Sequence, residues 1–195
     1  MTIDAMRELL RRSLKPKRFR HSCAVFDEAL KLADRFDADR DKVAVAALLH
    51  DCGREVPTPE GPRKAAELGL QPDPVVCAQP ILAHPLLGAW YAEHKYGVTD
   101  PEILDAIRLH TTGGPDMTQT AKIVFLADMT EPARDFPGVD ELRSLCRKDL
   151  DKAMLQAYKD TMAYLLGQDL LVHPDAVAGY NQLAAQFKAK KEQVQ

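Results

Sequence analysis

Residues 44–51 read AVAALLHD, an apolar run that ends in a histidine and an aspartate. Asp39 precedes the run and is a favourable helix N-cap, so the segment predicts a helix that ends directly before His50. Neighbouring helical side chains point about 100° apart, so His50 and Asp51 can serve one site only where the helix stops, and Gly53 is the predicted stop. The segment therefore presents two polar side chains at the end of a buried helix.

The rest of the chain shows the same helical pattern. Apolar residues recur at spacings of three and four, and no alternation typical of strands persists. The sequence therefore predicts an all-α fold, a single-domain helical bundle over residues 1–195. Polar N-caps, prolines and glycines indicate where the helices begin and end. The predicted helices cover residues 4–13, 18–36, 39–49, 63–68, 85–96, 101–110, 118–132, 140–165 and 175–188. Residues 189–195 are predicted to be a frayed tail.

Composition and charge exclude several classes of protein. Hydrophobic residues make up 46% of the chain and charged residues 28%, far from the signature of disorder. A net charge of −3 gives no broad attraction to nucleic acid or to anionic membranes, although residues 188–191 are locally basic. We therefore expect neither a nucleic-acid polymer nor a membrane as a partner.

Two further features concern the compartment. The N-terminal segment has no apolar core of signal-peptide length, and the longest apolar run, residues 43–49, is far shorter than the roughly 20 residues of a membrane span. The four cysteines form no CxxC pair, and a chain of 195 residues does not need disulfides for stability. We expect a soluble, cytoplasmic protein with reduced thiols.

Six residues are candidates for a metal site. Imidazole nitrogens and carboxylate oxygens suit a hard or borderline divalent cation. Asp51 and Asp128 end the apolar stretches AVAALLHD and KIVFLAD, and a buried carboxylate is costly unless a cation compensates its charge. A lone histidine is more often an ordinary core or surface residue, and His94 is assigned to the surface. The six candidates are His21, His50, Asp51, His84, His110 and Asp128.

Longer motifs surround these candidates. They are RFRH (18–21), LLHDCGR (48–54), AHPLLGAW (83–90), LHTTGG (109–114), LADMTEPAR (126–134) and VHPDAVAGYN (172–181). With these motifs the chain resembles the HD superfamily of metal-dependent phosphohydrolases, and more narrowly the bacterial, YqeK-like family of symmetrical diadenosine tetraphosphate hydrolases. The resemblance spans nearly the whole chain, and the HTTG and ADxxEPxR segments together are its specific part.

The resemblance implies roles for individual residues. A divalent metal, implied to be iron and present as one or two ions, would be held by His21, His50, Asp51 and Asp128, with manganese or another transition metal as alternatives. His84 and His110 would either complete a second metal site or bind substrate phosphate, and with Asp51 they are the implied catalytic residues. The implied substrate-binding residues are Arg18, Arg54, Thr111, Arg134, His173, Tyr180 and Asn181.

Two more expectations follow from the resemblance. The catalytic core would occupy about residues 18–135, and helices within residues 140–188 would complete a nucleotide pocket. Arg54 stands where the family commonly has lysine three residues after the aspartate, which keeps the positive charge but changes its geometry.

The expected reaction is the symmetrical hydrolysis of diadenosine tetraphosphate to two ADP. Two alternatives remain open, an HD-type nucleotidase that acts on mononucleotides and a catalytically silent HD domain that binds a nucleotide as a sensor. The expected partner is a nucleotide, and the sequence is also compatible with a homodimer.

Overall fold

The computed structural model describes residues 1–192, and in this range the chain forms α-helices and short 3-10 helices without a strand. The all-α prediction is therefore confirmed. The α-helices are α1 (Ile3–Ser13), α2 (Pro16–Phe36), α3 (Arg40–Leu49), α4 (Gly61–Glu67), α5 (Pro74–Ala78), α6 (Ala83–His94), α7 (Pro101–Leu109), α8 (Gln119–Thr130), α9 (Val139–Cys146), α10 (Leu150–Gly167) and α11 (Pro174–Glu192). The 3-10 helices are Cys52–Glu55, Thr58–Glu60 and Pro80–Leu82. In the described part of the chain, no helix is both long and apolar enough to cross a membrane.

Side-chain caps fix where the central helices begin. Asp39 accepts hydrogen bonds from the backbone N–H groups of two residues in the first turn of α3, at 3.1 Å each. Asp100 caps α7 through the N–H of Glu102 at 2.9 Å, and Thr118 caps α8 through that of Ala121 at 3.2 Å. Each such cap contributes about 1 kcal/mol to helix stability. The caps set the register in which the later polar residues of these helices reach the site.

Two predictions about helices are corrected, and one helix was not predicted. The single helix predicted over residues 140–165 is wrong, because α9 ends at Cys146 and α10 begins at Leu150, with Asp149 as its N-cap at 3.0 Å from the N–H of Lys152. Apolar spacing continues through this break, since both helices pack on the core. Helix α5 was not predicted. The predicted tail is helical to Glu192, and residues 193–195 lie outside the described part.

The centre of the molecule is formed by α3 and α8, which α2 and α7 cover. Both central helices are apolar on nearly every side, as helices surrounded by other helices are. A second, smaller core lies between α4, α5 and α6 around Ala65, Val76 and Leu87. The C-terminal ends of α3 and α7 and the N-terminal end of α6 meet at one edge of the main core.

Gly53 has a different role from the predicted helix stop. The chain leaves α3 at His50 without a left-handed residue, and Gly53 does not have a positive φ. A Cβ atom on Gly53 would lie 2.2 Å from the carbonyl oxygen of His84 and 2.6 Å from the backbone nitrogen of Gly88. The glycine therefore allows the segment after Asp51 to lie directly against the backbone of α6.

Candidate metal centre

The six candidate donors converge where the central helices end. His21 comes from α2, His50 and Asp51 follow α3, His84 lies in the first turn of α6, His110 follows α7 and Asp128 lies in α8. His50, Asp51, His84 and His110 are each at most 5% exposed. The Oδ atoms of Asp51 lie 3.3 Å from Nε2 of His84, 3.7 Å from Nε2 of His110 and 4.0 Å from Nε2 of His50. Nε2 of His21 lies 3.0 Å from Oδ1 of Asp128.

Backbone carbonyls fix the tautomer of three of these imidazoles. Nδ1 of His50, His84 and His110 each faces the carbonyl oxygen of the residue three positions earlier, at 2.8 Å for His50 and 2.7 Å for His110. A carbonyl can only accept, so Nδ1 carries the proton and Nε2 keeps a lone pair. The three Nε2 atoms, each with a lone pair, lie 3.3–4.0 Å from the carboxylate of Asp51. Such second hydrogen bonds are typical of histidines that bind metals.

The surroundings of the Nε2 atoms of His50, His84 and His110 indicate whether a cation fits the site. Nε2 of His84 and Nε2 of His110 are 3.0 Å apart, and two lone pairs at that distance cannot hydrogen-bond to each other. Nε2 of His50 is fully buried and has no hydrogen-bond partner among residues 1–192. A buried acceptor without a donor costs about 1–3 kcal/mol. Divalent cations bound among these groups would satisfy the three nitrogens, so the donor set fits metal binding.

The donors form three overlapping sets. Within each set, one atom from each residue lies within 4.8 Å of the others. The first two sets together contain all four residues that the resemblance implies for the first metal. The third contains His84 and His110 and shares Asp51 with the first, so it offers donors for a second ion. The sets are His21–His50–Asp51, His50–His110–Asp128 and Asp51–His84–His110.

Burial and mutual contact set the charge of these groups. Burial lowers the pKa of His50 to about 4 and, together with the neighbouring His110, holds the pKa of His84 well below its ordinary value. Burial alone would raise the pKa values of Asp51 and Asp128. The neighbouring histidines lower them by more than burial raises them, so both pKa values fall below the usual range. At neutral pH His50 and His84 are therefore neutral and the two carboxylates are charged, whereas the hydrogen bond to Asp128 raises the pKa of His21 despite its burial.

Three arginines surround the carboxylates. Arg18 donates from Nη1 to Oδ2 of Asp51 at 3.3 Å, and Arg54 donates from Nε to Oδ1 of the same residue at 3.1 Å. Arg134 pairs with the carboxylate of Asp128 and donates to its backbone oxygen at 2.7 Å. The side chains of Arg18 and Arg134 are 45% and 39% exposed, whereas that of Arg54 is 15% exposed. Two of the three cations are therefore open to an anion from outside.

Glu131 belongs to the centre, although it was not among the residues predicted for the site. Its carboxylate is buried, and Oε1 lies 3.2 Å from Nδ1 of His21 while Oε2 accepts the backbone N–H of Ala133 at 2.7 Å. Arg143 of α9 donates to the backbone oxygens of Thr130, Glu131 and Arg134 at 2.9–3.0 Å and fixes this turn. The sequence signal for Glu131 was its position in the motif LADMTEPAR, three residues after Asp128.

Replacing Glu131 by alanine is expected to weaken metal binding about 10- to 100-fold, the usual effect of losing a carboxylate that orients a metal-binding histidine. Glu131→Gln should keep part of the affinity, because an amide oxygen can still accept from Nδ1 of His21. Metal titration of the metal-depleted variants measures the change. Glu141→Ala, at an exposed acidic residue of α9, is the control. Equal affinity in Glu131→Ala and the wild type would remove Glu131 from the centre.

An apolar cavity of about 230 Å³ adjoins the His84 end of the donor cluster. Thr111 connects the two, since its Oγ1 lies 3.2 Å from Nε2 of His84 and the residue also lines the cavity. His173 also lines the cavity, and its Nε2 lies 2.7 Å from Oδ2 of Asp73. Further lining residues are Ile81, Leu82, Phe125, Tyr158, Met162, Leu165, Leu170 and Leu171.

The structure does not bring two predicted substrate residues to this cavity. Tyr180 packs against the main core from the outside, and Asn181 is exposed on α11. Neither residue lines the cavity or lies in the donor cluster. The face of α11 that approaches the site contains Ala176 and Gly179 instead.

Tyr158 of α10 connects the C-terminal helices to the loop after His110. Its hydroxyl accepts the N–H of Gly114 at 2.9 Å and donates to the carbonyl of the same residue at 3.2 Å. A Cβ atom on Gly113 or on Gly179 would lie within 2.4 Å of this hydroxyl. Gly113 also has φ +63°, in agreement with its predicted role as the end of α7. Helices α10 and α11 therefore hold the loop that carries Thr111.

Comparison with known proteins shows which family the chain belongs to. The HD domain family matches residues 18–133, a range that contains all six donors and Glu131. The chain belongs to the HD domain family. This HD-domain protein is 39% identical over 176 residues to the symmetrical bis(5′-nucleosyl)-tetraphosphatase of Bacillus subtilis, which covers 90% of this chain and 94% of that protein. The Staphylococcus aureus protein of the same name is 36% identical over 175 residues, covering 89% and 90%.

The fold agrees with a solved relative. The crystal structure of a predicted HD superfamily hydrolase involved in NAD metabolism, from Clostridium acetobutylicum, superposes with a TM-score of 0.91 at 32% identity and covers 95% of this chain and 98% of that one. The HD-domain protein is therefore a phosphohydrolase of the metal-dependent HD class. Its cluster of histidines and aspartates fits the divalent metal that this class uses.

Proposed function

We propose that this HD-domain protein hydrolyses diadenosine tetraphosphate symmetrically to two ADP. One observation carries the proposal: the donor cluster adjoins, through Thr111, an apolar cavity with a polar end. Phosphates suit the cluster and its arginines, while a nucleobase, with flat apolar faces and polar edges, suits the cavity. The names of the relatives in Bacillus subtilis and Staphylococcus aureus support the same substrate.

We assign the metal to His21, His50, Asp51 and Asp128. Iron is the proposed ion because the family resemblance implies it. Manganese is the alternative, since imidazole and carboxylate donors suit both metals. Asp51, His84 and His110 are the proposed donors to a second ion. When bound, such ions supply a water nucleophile at neutral pH and positive charge for the phosphoryl oxygens.

The protein's own groups then have distinct tasks. The Asp51 carboxylate, between the histidines, is positioned to orient the attacking water or to accept its proton. Arg18 and Arg134 are exposed enough to bind phosphate oxygens, and Arg54 supports Asp51 from the buried side. Thr111 and His173 are the proposed contacts at the polar end of the cavity, where they would orient one nucleotide.

The bond that breaks joins the two central phosphates. The water oxygen adds to one of these phosphorus atoms, and the bridging oxygen leaves with the other ADP. ADP is a stable anion at neutral pH, so its departure does not require a strong general acid. This fits a site in which His50 and His84 are neutral rather than protonated.

Chromatography of the products tests the proposal. The wild-type enzyme, loaded with iron or manganese, is incubated with diadenosine tetraphosphate, ATP, ADP and AMP in separate reactions. ADP is expected to be the only product from the tetraphosphate, and Asp128→Ala, prepared in parallel, controls for contaminating enzymes. Formation of ATP plus AMP would contradict a symmetrical cut. Faster release of phosphate from AMP would favour the mononucleotide alternative.

Location and assembly remain predictions. The four cysteines are free thiols, which supports a cytoplasmic location. A nucleotide is the proposed partner, and a homodimer stays an open prediction that sedimentation of the purified protein can test.

A further inference from the structure

A second cavity adjoins the opposite end of the donor cluster. The imidazoles form a row, with ring centroids 5.3 Å apart for His21 and His50, 4.9 Å for His50 and His110, and 4.9 Å for His110 and His84. The apolar cavity adjoins the His84 end. A cleft of about 730 Å³ adjoins the His21 end. Its lining residues are Lys17, Arg18, Arg20, His21, Ala24, Glu131, Ala133 and Arg134.

This cleft is strongly cationic. It has four basic side chains, and its single acidic residue, Glu131, is buried against His21. Arg18 and Arg134 connect the cleft to the carboxylates of Asp51 and Asp128. The cleft and the donor cluster are therefore continuous.

Two of the four cations are not used by the fold. Lys17 and Arg20 are exposed, and among residues 1–192 neither has a carboxylate within ion-pair distance. Lys17 lies in the first turn of α2, which contains no acidic residue, and Arg20 lies in the next turn. Positive side chains at a helix N-terminus oppose the helix dipole and reduce helix stability. Stability of the fold thus does not explain these two residues.

We propose that the cationic cleft binds the second nucleoside diphosphate half of the substrate, with Lys17 and Arg20 as its phosphate contacts. The inference rests on the proposed function. One half of the dinucleotide lies in the apolar cavity, the central phosphates lie at the donor cluster, and the phosphate chain of the other half follows the cleft past Arg18 and Arg134. The contacts to the second half add binding energy that is the same in the ground state and in the transition state.

The double variant Lys17→Ala/Arg20→Ala tests the assignment kinetically. Its KM for diadenosine tetraphosphate is expected to rise about 10-fold or more with kcat nearly unchanged, because only substrate binding is lost. Its Tm should equal or exceed that of the wild type, since the unfavourable charge of Lys17 leaves the first turn of α2 and neither residue forms an ion pair among residues 1–192. Lys188→Ala/Lys190→Ala removes the same charge from the end of α11 and is the matched control. An unchanged KM in the first variant would overturn the inference.

ADP binding provides a readout that does not depend on turnover. Calorimetric titration of the metal-loaded wild type is expected to show two ADP per chain, and the charge reversal Lys17→Glu/Arg20→Glu is expected to leave one. A single ADP per wild-type chain, or two in the reversed variant, would overturn the inference even if the enzyme makes ADP from the tetraphosphate. A third outcome separates the two proposals. If the wild type does not hydrolyse the tetraphosphate but binds two ADP, and the charge-reversed variant binds only one, the proposed function fails and the cleft stands as a nucleoside diphosphate site.

Discussion

Asp128→Ala is expected to lose the metal and to lower turnover by more than about 10²-fold, since loss of a residue that only orients a metal ligand already costs about 10- to 100-fold. The aspartate is a candidate donor and also the acidic partner of His21 and Arg134. Its removal therefore takes away a metal ligand and leaves Glu131 as the remaining acidic neighbour of both His21 and Arg134. Metal analysis and steady-state kinetics on the purified variant measure both effects.

Thermal melting gives the same prediction an independent check. Added metal should raise the Tm of the wild type, because a ligand that binds only the folded state stabilises it, and should leave that of Asp128→Ala unchanged. Asp135→Ala, at an exposed aspartate seven residues later, is the matched control and should behave as the wild type. Full metal occupancy in Asp128→Ala would contradict the assignment.

The variant His110→Ala tests how many metal ions the site binds. Loss of one of two ions indicates a dinuclear centre, whereas unchanged metal content with a raised KM indicates that His110 binds substrate phosphate.

Gly53→Ala is expected to destabilise the fold by about 1–3 kcal/mol, the usual cost of forcing an extra carbon into a packed interior. A glycine-to-alanine change stabilises by about 0.4–1 kcal/mol where space and φ allow it, so a loss of stability isolates the clash. The added Cβ would meet backbone atoms of His84 and Gly88, which cannot move aside as a flexible side chain can. Separation of α6 from the segment after Asp51 should also withdraw His84 from the donors and reduce metal content.

Urea unfolding and metal analysis check this second prediction. Gly167→Ala is the matched control, because nothing lies within 4 Å of its added Cβ and the residue ends α10 in open space. The control should be as stable as the wild type or slightly more stable. Wild-type stability and metal content in Gly53→Ala would show that the backbone contact is not needed.

Local chemistry made much of the fold predictable. Asp39, Asp100 and Thr118 bond to N–H groups two or three residues away, so sequence spacing alone indicates where α3, α7 and α8 begin. The break before Asp149 was missed because the apolar spacing of α9 continues into α10, and a cap inside a periodic segment looks like an ordinary polar residue.

Contacts between distant residues were not predictable from spacing. Glu131 contacts His21 across 110 positions, and Tyr158 contacts Gly114 across 44. Gly53 illustrates the same limit, since its position suggested a helix stop while the reason for a glycine lies in the neighbouring α6. Motifs indicated which residues belong together, and only the packing of the helices shows how each one is oriented.

The contact between Tyr158 and Gly114 separates two tasks along the chain. All six candidate donors lie between α2 and α8, whereas α10 and α11 shape the apolar cavity and hold the loop with Thr111. Sequence drift in the last two helices can therefore change which molecule is accepted while the reactive chemistry stays the same. The division gives such a protein a route to new substrates in evolution that does not pass through an inactive intermediate.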